Sequence, residues 1–158
     1  MRKKIVSMIV AISLATGIFA MIPAEQAKAA EEIITVDGSV LLEDVEESIG
    51  NMIVQTKGQY LQTGSSKIVR AGVGKIAVGG TTIAQTTVDN VKIAVMVERL
   101  LNGKWASYTS WSTSKTNAYS VSTSKTLTVP RGYYYRVRSI HSANSDIGNS
   151  NTNALYVE

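Results

Sequence analysis

The side chains best suited to recognise a ligand are concentrated in one short segment, RGYYYRVRSIHSA, at residues 131–143. On an extended strand, successive side chains point to opposite faces of the sheet. One face then carries two tyrosines and a valine, which we predict to be buried in the core: Tyr133, Tyr135 and Val137. The opposite face carries a tyrosine and two arginines, which we predict to be exposed: Tyr134, Arg136 and Arg138. Arginine stems laid across a tyrosine ring would make this second face a basic, aromatic binding surface.

Two tryptophans offer another candidate surface. Trp105 and Trp111 are six residues apart, so an unbroken strand places both on the same face. Exposed rings on one face could form a platform for a sugar, whereas a buried ring would fill the core. We expect Trp105 to be buried, because it follows the hairpin that leaves the most apolar strand. For Trp111 both alternatives stay open, and it is a candidate binding residue.

Side chains for catalysis are scarce in this chain. It has one histidine, His141, and no cysteine, which excludes thiol catalysis and thiolate metal sites. A serine hydrolase would need His141 as its base, with Asp89 or Asp146 to orient the ring, and the chain has no Gly-x-Ser-x-Gly motif. A glycosidase needs two rigidly held carboxyl groups, and few acids lie in the predicted folded region. We therefore expect a protein that is not an enzyme and that has no cofactor and no metal site.

The N-terminus has the features of an export signal. Three basic residues at positions 2–4 precede an apolar stretch from Ile5 to Ile22, and an Ala-Lys-Ala cleavage motif follows. A retained membrane anchor is the alternative, because the apolar stretch approaches the length that spans a bilayer. Pro23 and the cleavage motif favour removal. We therefore predict a signal peptide over residues 1–29 and a secreted mature protein, released or loosely associated with the cell wall, with no stable membrane span after cleavage.

The mature chain begins with an acidic region. Residues 30–56 contain seven acids and no lysine or arginine. Four apolar residues in this region recur at helical spacing: Leu41, Val45, Ile49 and Ile53. An isolated helix of this length is marginal in water. We therefore predict a flexible acidic extension over residues 30–64, with at most one transient or docked helix.

The rest of the chain is basic. Residues 57–158 contain twelve basic residues and four acids, a charge that attracts anionic partners. In an exported protein the partners that we expect are an anionic wall polymer, a glycan or an extracellular protein, and not nucleic acid. The acidic extension could itself mask part of the basic surface.

Signals for β-strands dominate the chain from Ser65 onward. Residues 91–97 alternate between apolar and less apolar side chains, as in a half-buried antiparallel strand. Asn102-Gly103 follows and predicts a hairpin, because a type I′ turn needs positive φ at both central residues. Gly79-Gly80 predicts a second hairpin-type turn, and the Asn- and Ser-rich residues 144–153 predict a loop.

These strands predict an all-β domain over residues 65–158. Seven or eight short strands at this spacing favour an immunoglobulin- or fibronectin-like antiparallel β-sandwich, with a small barrel as the alternative. The segment Leu127–Val137 resembles the part of fibronectin type III domains that holds a tyrosine corner, in which a tyrosine hydroxyl bonds backbone a few residues upstream. Ile140 interrupts the alternation of the tyrosine-rich strand, so we expect either a bulge or a strand end covered on both faces near Ser139.

Three segments also resemble a family of small secreted proteins from Gram-positive anaerobes. They are the strand Val91–Arg99, the Asn-Gly-Lys-Trp turn at residues 102–105 and the segment Tyr134–His141. The resemblance extends over most of residues 60–157. The family is catalogued as a domain of unknown function, so the resemblance implies secretion and a β fold and supplies no site residues.

The function that we expect is a non-catalytic extracellular binding module. Its ligand would contact the face formed by Tyr134, Arg136 and Arg138, or an exposed Trp111. The alternative is a small secreted effector or antimicrobial-type protein that acts at membranes. The sequence does not indicate the oligomeric state.

Overall fold

The computed structural model describes residues 33–53 and 58–158. Every secondary-structure element in these ranges is a β-strand. The strands β1 to β9, in chain order, are Thr35–Val36, Ser39–Leu42, Glu47–Asn51, Leu61–Arg70, Lys75–Leu101, Lys104–Thr128, Tyr133–Ala143, Asp146–Asn151 and Ala154–Val157. This confirms the all-β class. The predicted signal peptide, residues 1–29, lies outside the described ranges. In those ranges no helix has the length and apolar character needed to cross a membrane.

The strands form one curled, mixed sheet. Its order is β1-β2-β9-β7-β5-β4-β3, with β6 beside β5 and β8 beside β7. Neighbouring strands are antiparallel except β2 and β9, which run parallel. The predicted sandwich was antiparallel throughout, and the difference arises because the acidic region contributes β2 to the sheet.

A bend in β5 and β6 brings the two halves of the sheet together. The first half of β5 pairs with β4, and its second half, from Val91 to Arg99, pairs with β7. The pairing of β5 with β6 is irregular between Ile83 and Val88. On β6, the indole nitrogen of Trp111 lies 3.0 Å from the hydroxyl of Thr123, although a straight strand would separate these residues by about 40 Å. Both long strands therefore fold back, and the halves enclose a core.

The core is built on the inward face of β5. The four residues of this face are each 1% exposed or less: Val91, Ile93, Val95 and Val97. They belong to one buried cluster with Ile68 of β4 and Ile76 and Val78 from the first half of β5. Burial of each such side chain contributes about 1.5–3 kcal/mol. The predicted apolar face is confirmed.

The two predicted glycine turns have different outcomes. Asn102 and Gly103 have φ angles of 49° and 74° and connect β5 to β6, which confirms this hairpin. The turn predicted at Gly79-Gly80 is wrong, because both residues lie inside β5. A Cβ on Gly80 would lie 2.9 Å from Cδ1 of Ile93 and would clash with the carbonyl oxygen of Ser65. This glycine permits close packing between strands.

The acidic region also differs from its prediction. It forms β1 and β2, a hairpin that turns at Asp37 and Gly38 with φ angles of 46° and 75°, and β3, which pairs with β4 along its whole length. In the sheet this segment forms backbone hydrogen bonds with neighbouring strands. An isolated helix of this length would be only marginally stable, so the strands are favoured. The described residues 33–53 and 58–158 belong to one compact unit, so the folded region begins before Ser65, which lies inside β4.

The C-terminal part of the chain contains one strand more than predicted. Residues 146–151, predicted as part of a loop, form β8 and pair with β7 from Ala143↔Asp146 to Arg138↔Asn151. The bulge expected near Ser139 is absent, because β7 pairs with β5 in continuous register. Ile140 therefore stays on the outward face, 48% exposed.

Truncation of a core residue tests this arrangement. Ile93→Ala should lower the free energy of unfolding by about 2–5 kcal/mol, because Ile93 is fully buried between the halves of the sheet. Ile147→Ala is the matched control; Ile147 is 75% exposed, and its truncation should change stability by no more than about 0.5 kcal/mol. Urea unfolding followed by circular dichroism measures both values. Equal effects of the two substitutions would contradict the assigned core.

Candidate functional site

Arg136, predicted to be exposed, is the largest fully buried side chain of the described residues and is 1% exposed. The hairpin of β1 and β2 covers it. Its Nη1 donates to the backbone carbonyl of Asp37 at 2.8 Å, and its Nη2 pairs with the carboxylate of Asp37 at 3.0 Å. The prediction of an exposed Arg136 is wrong because the acidic region lies on this face of β7.

Glu98 completes the enclosure of Arg136. It lies directly opposite Arg136 on β5, is 6% exposed, and accepts a hydrogen bond from the arginine Nε at 2.7 Å. The ring centroid of Trp105 lies 4.3 Å from the guanidinium carbon, and the indole N–H donates to the carbonyl of Val36. Trp105 is thus half-buried on the outer face under β1, and the expectation that it fills the core is wrong. We call Asp37, Glu98, Trp105 and Arg136 the arginine clamp.

Tyr134 forms a hydrogen bond with the same acidic region. Its hydroxyl donates to a carboxylate oxygen of Glu43 at 2.5 Å, and its ring lies 5.2 Å from that of Tyr156. Burial, together with the bond to Glu43, raises the pKa of Tyr134 to about 12. The phenol is therefore neutral at physiological pH and half-buried, with its hydroxyl already bonded within the protein.

Trp111 joins the two halves of β6. Its ring packs against the core, its N–H donates to Thr123, and Nζ of Lys125 lies 4.5 Å from the ring centroid. Both contacts come from the far side of the bend in β6. Of the two alternatives left open, the structure favours a packing role over an exposed platform.

The tyrosine face of β7 is buried except at its start. Tyr135 and Val137 are fully buried, as predicted, whereas Tyr133 is 36% exposed. The Tyr135 hydroxyl donates to the carbonyl of Pro130, five residues upstream, at 2.8 Å. This is the hydrogen bond that the tyrosine-corner pattern predicts.

His141 lies in a buried network of hydroxyl groups. It is 0% exposed; its Nδ1 is 2.8 Å from the Thr82 hydroxyl and its Nε2 is 2.7 Å from the Ser150 hydroxyl. Ser66 extends the network to Ser150 and Ser139. Burial lowers the pKa of His141 to about 4. The imidazole is therefore neutral at physiological pH and has no surface on which to meet a substrate.

Asp146 anchors a neighbouring chain segment. Its Oδ2 accepts the backbone N–H groups of Tyr60 and Leu61, at 2.5 and 3.0 Å. These hydrogen bonds lower the pKa of its carboxyl group. In residues 33–53 and 58–158, no group of three or more histidine or acidic side chains is placed to hold a metal ion.

Arg138 is the predicted binding residue with an accessible charge. Its side chain is 46% exposed, and its Nη1 lies 3.5 Å from the carboxylate of Glu98. It lines a groove of about 500 Å³ together with apolar residues that include Met52, Leu61, Met96, Ile140 and Ile147. Ile147 is 75% and Ile140 48% exposed. We call this site the Arg138 groove.

The sequence predicted the charged residue of the Arg138 groove but not its apolar wall. Arg138 is predicted as a binding residue, but the bulge expected near Ser139 would take Ile140 off the face of Arg138, and it is the continuous register of β7 that keeps both on one face. Ile147 lay in a predicted loop, and no local signal linked it to Arg138. Pairing of β8 with β7 places the two residues on one surface.

The arginine clamp predicts unequal effects of its two carboxylates. Glu98→Gln should lower the free energy of unfolding by about 3 kcal/mol, because it leaves a buried guanidinium poorly compensated. Asp37→Asn should cost less than about 1 kcal/mol, since the Asp37 side chain is 75% exposed. Urea titrations of both variants measure the difference. A larger loss for Asp37→Asn would contradict the assigned geometry.

The buried His141 predicts acid sensitivity. The unfolded chain binds a proton with the ordinary pKa of 6.5 and the folded chain with a pKa of about 4, so stability falls as the pH drops through this interval. Between pH 7 and pH 5 the loss should be about 2 kcal/mol. Urea unfolding measures the loss, and the NMR shifts of the single imidazole should show that most of it is still neutral at pH 5. An imidazole that titrates near pH 6.5 in the folded protein would contradict this assignment.

The comparisons with known proteins agree with the resemblance seen in the strand segments. The profile of a family of unknown function, DUF6147, matches residues 27–156, which spans the sheet from β1 to Tyr156 in β9. No curated protein matches the chain at a significant level. The match covers well over half of the sequence and confirms that the resemblance is to a family of unknown function. The chain belongs to the DUF6147 family.

Proposed function

We propose that this protein is a non-catalytic binding module that acts outside the cell and holds its ligand in the Arg138 groove. One observation carries the proposal, namely an accessible guanidinium beside exposed isoleucines in a groove of about 500 Å³. This volume lies within the range of ligand sites in proteins, which combine apolar walls with a few polar groups.

The groove favours a ligand that has both an apolar and an anionic group. The planar guanidinium of Arg138 can pair with a carboxylate or phosphate through two hydrogen bonds. Glu98 contacts only Nη1 of Arg138. This contact orients the guanidinium and leaves its other N–H groups for a ligand. Ile140 and Ile147 offer apolar surface next to it. A segment of an extracellular protein, or a wall polymer that carries apolar and acidic groups, has this chemistry.

The non-catalytic part of the proposal rests on the state of His141. A general base works best when its pKa is near the working pH, whereas burial lowers the pKa of His141 to about 4. Its two ring nitrogens already contact Thr82 and Ser150. The extracellular part rests on the export features of residues 1–29.

Action at a membrane surface is the second candidate function. Ile53 and Ile147 are 78% and 75% exposed and line the same groove as Arg138. Exposed apolar side chains beside a cation are also suited to the interface of an anionic bilayer. The two candidates differ in whether the apolar residues enclose a free ligand or insert among lipids.

Two small amphiphiles test the Arg138 groove. Octanoate carries an apolar chain and a carboxylate, and octyl glucoside below its micelle concentration carries the same chain without charge. Octanoate should shift the amide NMR signals of Met96, Ile140 and Ile147, and Arg138→Ala should weaken its binding about tenfold, roughly 1.4 kcal/mol. Octyl glucoside should bind the variant and the original protein equally. Arg131→Ala, which removes an exposed arginine outside the groove, is the matched control and should have no effect.

Vesicles separate the second candidate from the first. Sedimentation with phosphatidylglycerol vesicles that depends on Ile147, without octanoate binding, would replace the groove by a membrane-docking surface. Absence of both octanoate and vesicle binding would overturn both candidates. Octanoate binding that survives Arg138→Ala unchanged would reject the role of the guanidinium.

A further inference from the structure

We infer a second binding site, for a sugar that bears a carboxylate, at a cluster formed by Arg99, Tyr108 and Tyr133. These residues lie at the end of β5, near the start of β6 and at the start of β7. We call them the Arg99 cluster. The inference does not depend on the Arg138 groove, because none of the three residues lines it.

The cluster places a cation against two tyrosine rings. The guanidinium carbon of Arg99 lies 4.7 Å from the ring centroid of Tyr133 and 5.7 Å from that of Tyr108. Both distances fall within the range of cation–π attraction. These contacts hold Arg99 through the faces of the rings, and the Tyr135 hydroxyl also lies near its guanidinium. A guanidinium carries five N–H donors at its edge, more than these contacts use.

Arg99 differs from the other arginines on β5 and β7 in its electrostatic surroundings. Arg136 pairs with Asp37 and Glu98, and Arg138 lies near Glu98. Among residues 33–53 and 58–158, no carboxylate lies within the 4.0 Å of an ion pair from Arg99. Its positive charge is therefore available to an external anion.

The rings of the cluster are both supported and accessible. Tyr108 is 37% and Tyr133 36% exposed, so each offers part of its ring to solvent. Tyr108 meets the buried Tyr135 edge to face, with 5.7 Å between centroids and an angle of 82°, and Tyr135 is itself bonded to the carbonyl of Pro130. A site held in place before binding loses little freedom when the ligand arrives.

This combination of groups defines the ligand class. A guanidinium pairs with a carboxylate through two parallel hydrogen bonds, and a tyrosine ring offers a broad, rigid contact surface at low entropic cost. A uronic acid meets both requirements, because its ring can lie against tyrosine while its carboxylate reaches Arg99. A neutral sugar offers only the ring that lies against tyrosine, and a simple carboxylate offers only the group that pairs with Arg99. We therefore assign the Arg99 cluster to an acidic polysaccharide.

A short oligogalacturonate and its methyl ester form the matched pair of probes, because esterification removes the charge and keeps the sugar. Calorimetry at low salt should show binding of the acid at least tenfold tighter than binding of the ester. Arg99→Lys keeps the charge but loses the planar fork, and it should weaken binding of the acid about tenfold. Tyr133→Phe should bind as the original protein does, whereas Tyr133→Ser should weaken both probes.

Arg138→Ala distinguishes this site from general attraction to a basic protein and from the Arg138 groove. It should leave oligogalacturonate binding unchanged, and Arg99→Ala should leave octanoate binding unchanged. Equal losses of oligogalacturonate binding in Arg99→Ala and Arg138→Ala would overturn the site in favour of nonspecific charge. Absence of binding to the original protein, or full binding by Arg99→Ala with a native amide spectrum, would also overturn it.

Discussion

Arg136 is buried, and its need for charged partners explains why the first hairpin packs against the sheet. A guanidinium that is 1% exposed needs carboxylates and hydrogen-bond acceptors around it, because an unpaired buried charge is strongly destabilising. Glu98 supplies one partner from the neighbouring strand, and Asp37 supplies another from the first hairpin. The hairpin of β1 and β2 is thereby held over the outer face of β7, and its own Ser39 is fully buried and accepts a hydrogen bond from Arg136.

The arginine clamp also decides which basic groups remain for a ligand. Arg136 and Arg138 lie on the same face of β7, yet one is sealed under the hairpin and the other borders a groove. Glu98 contacts both, so a single carboxylate neutralises the buried cation and orients the exposed one. Arg99, at the end of β5, packs against tyrosine rings instead. Both proposed sites therefore use an arginine that, unlike Arg136, is not enclosed by carboxylates.

Local sequence patterns correctly predicted the structural elements that depend only on interactions between neighbouring residues. The alternation of residues 91–97 predicted a buried face, and Asn102-Gly103 predicted a hairpin, because side-chain direction and positive φ are properties of neighbouring residues. The same logic failed at Gly79-Gly80, where the glycines permit close strand packing rather than a turn. It failed again for residues 33–53, whose apolar spacing suggested a helix, because the edge of the sheet offered better backbone partners.

The amino-acid sequence was enough to predict the β class, the inward face of the central strand and the family to which the chain belongs. It also placed Tyr134, Arg136 and Arg138 together on one face of β7. The burial of Arg136 and the accessibility of Arg138 depend instead on contacts between segments that are distant in the chain. The reason is that exposure depends on what covers a strand, and here the cover comes from residues about 100 positions earlier in the chain.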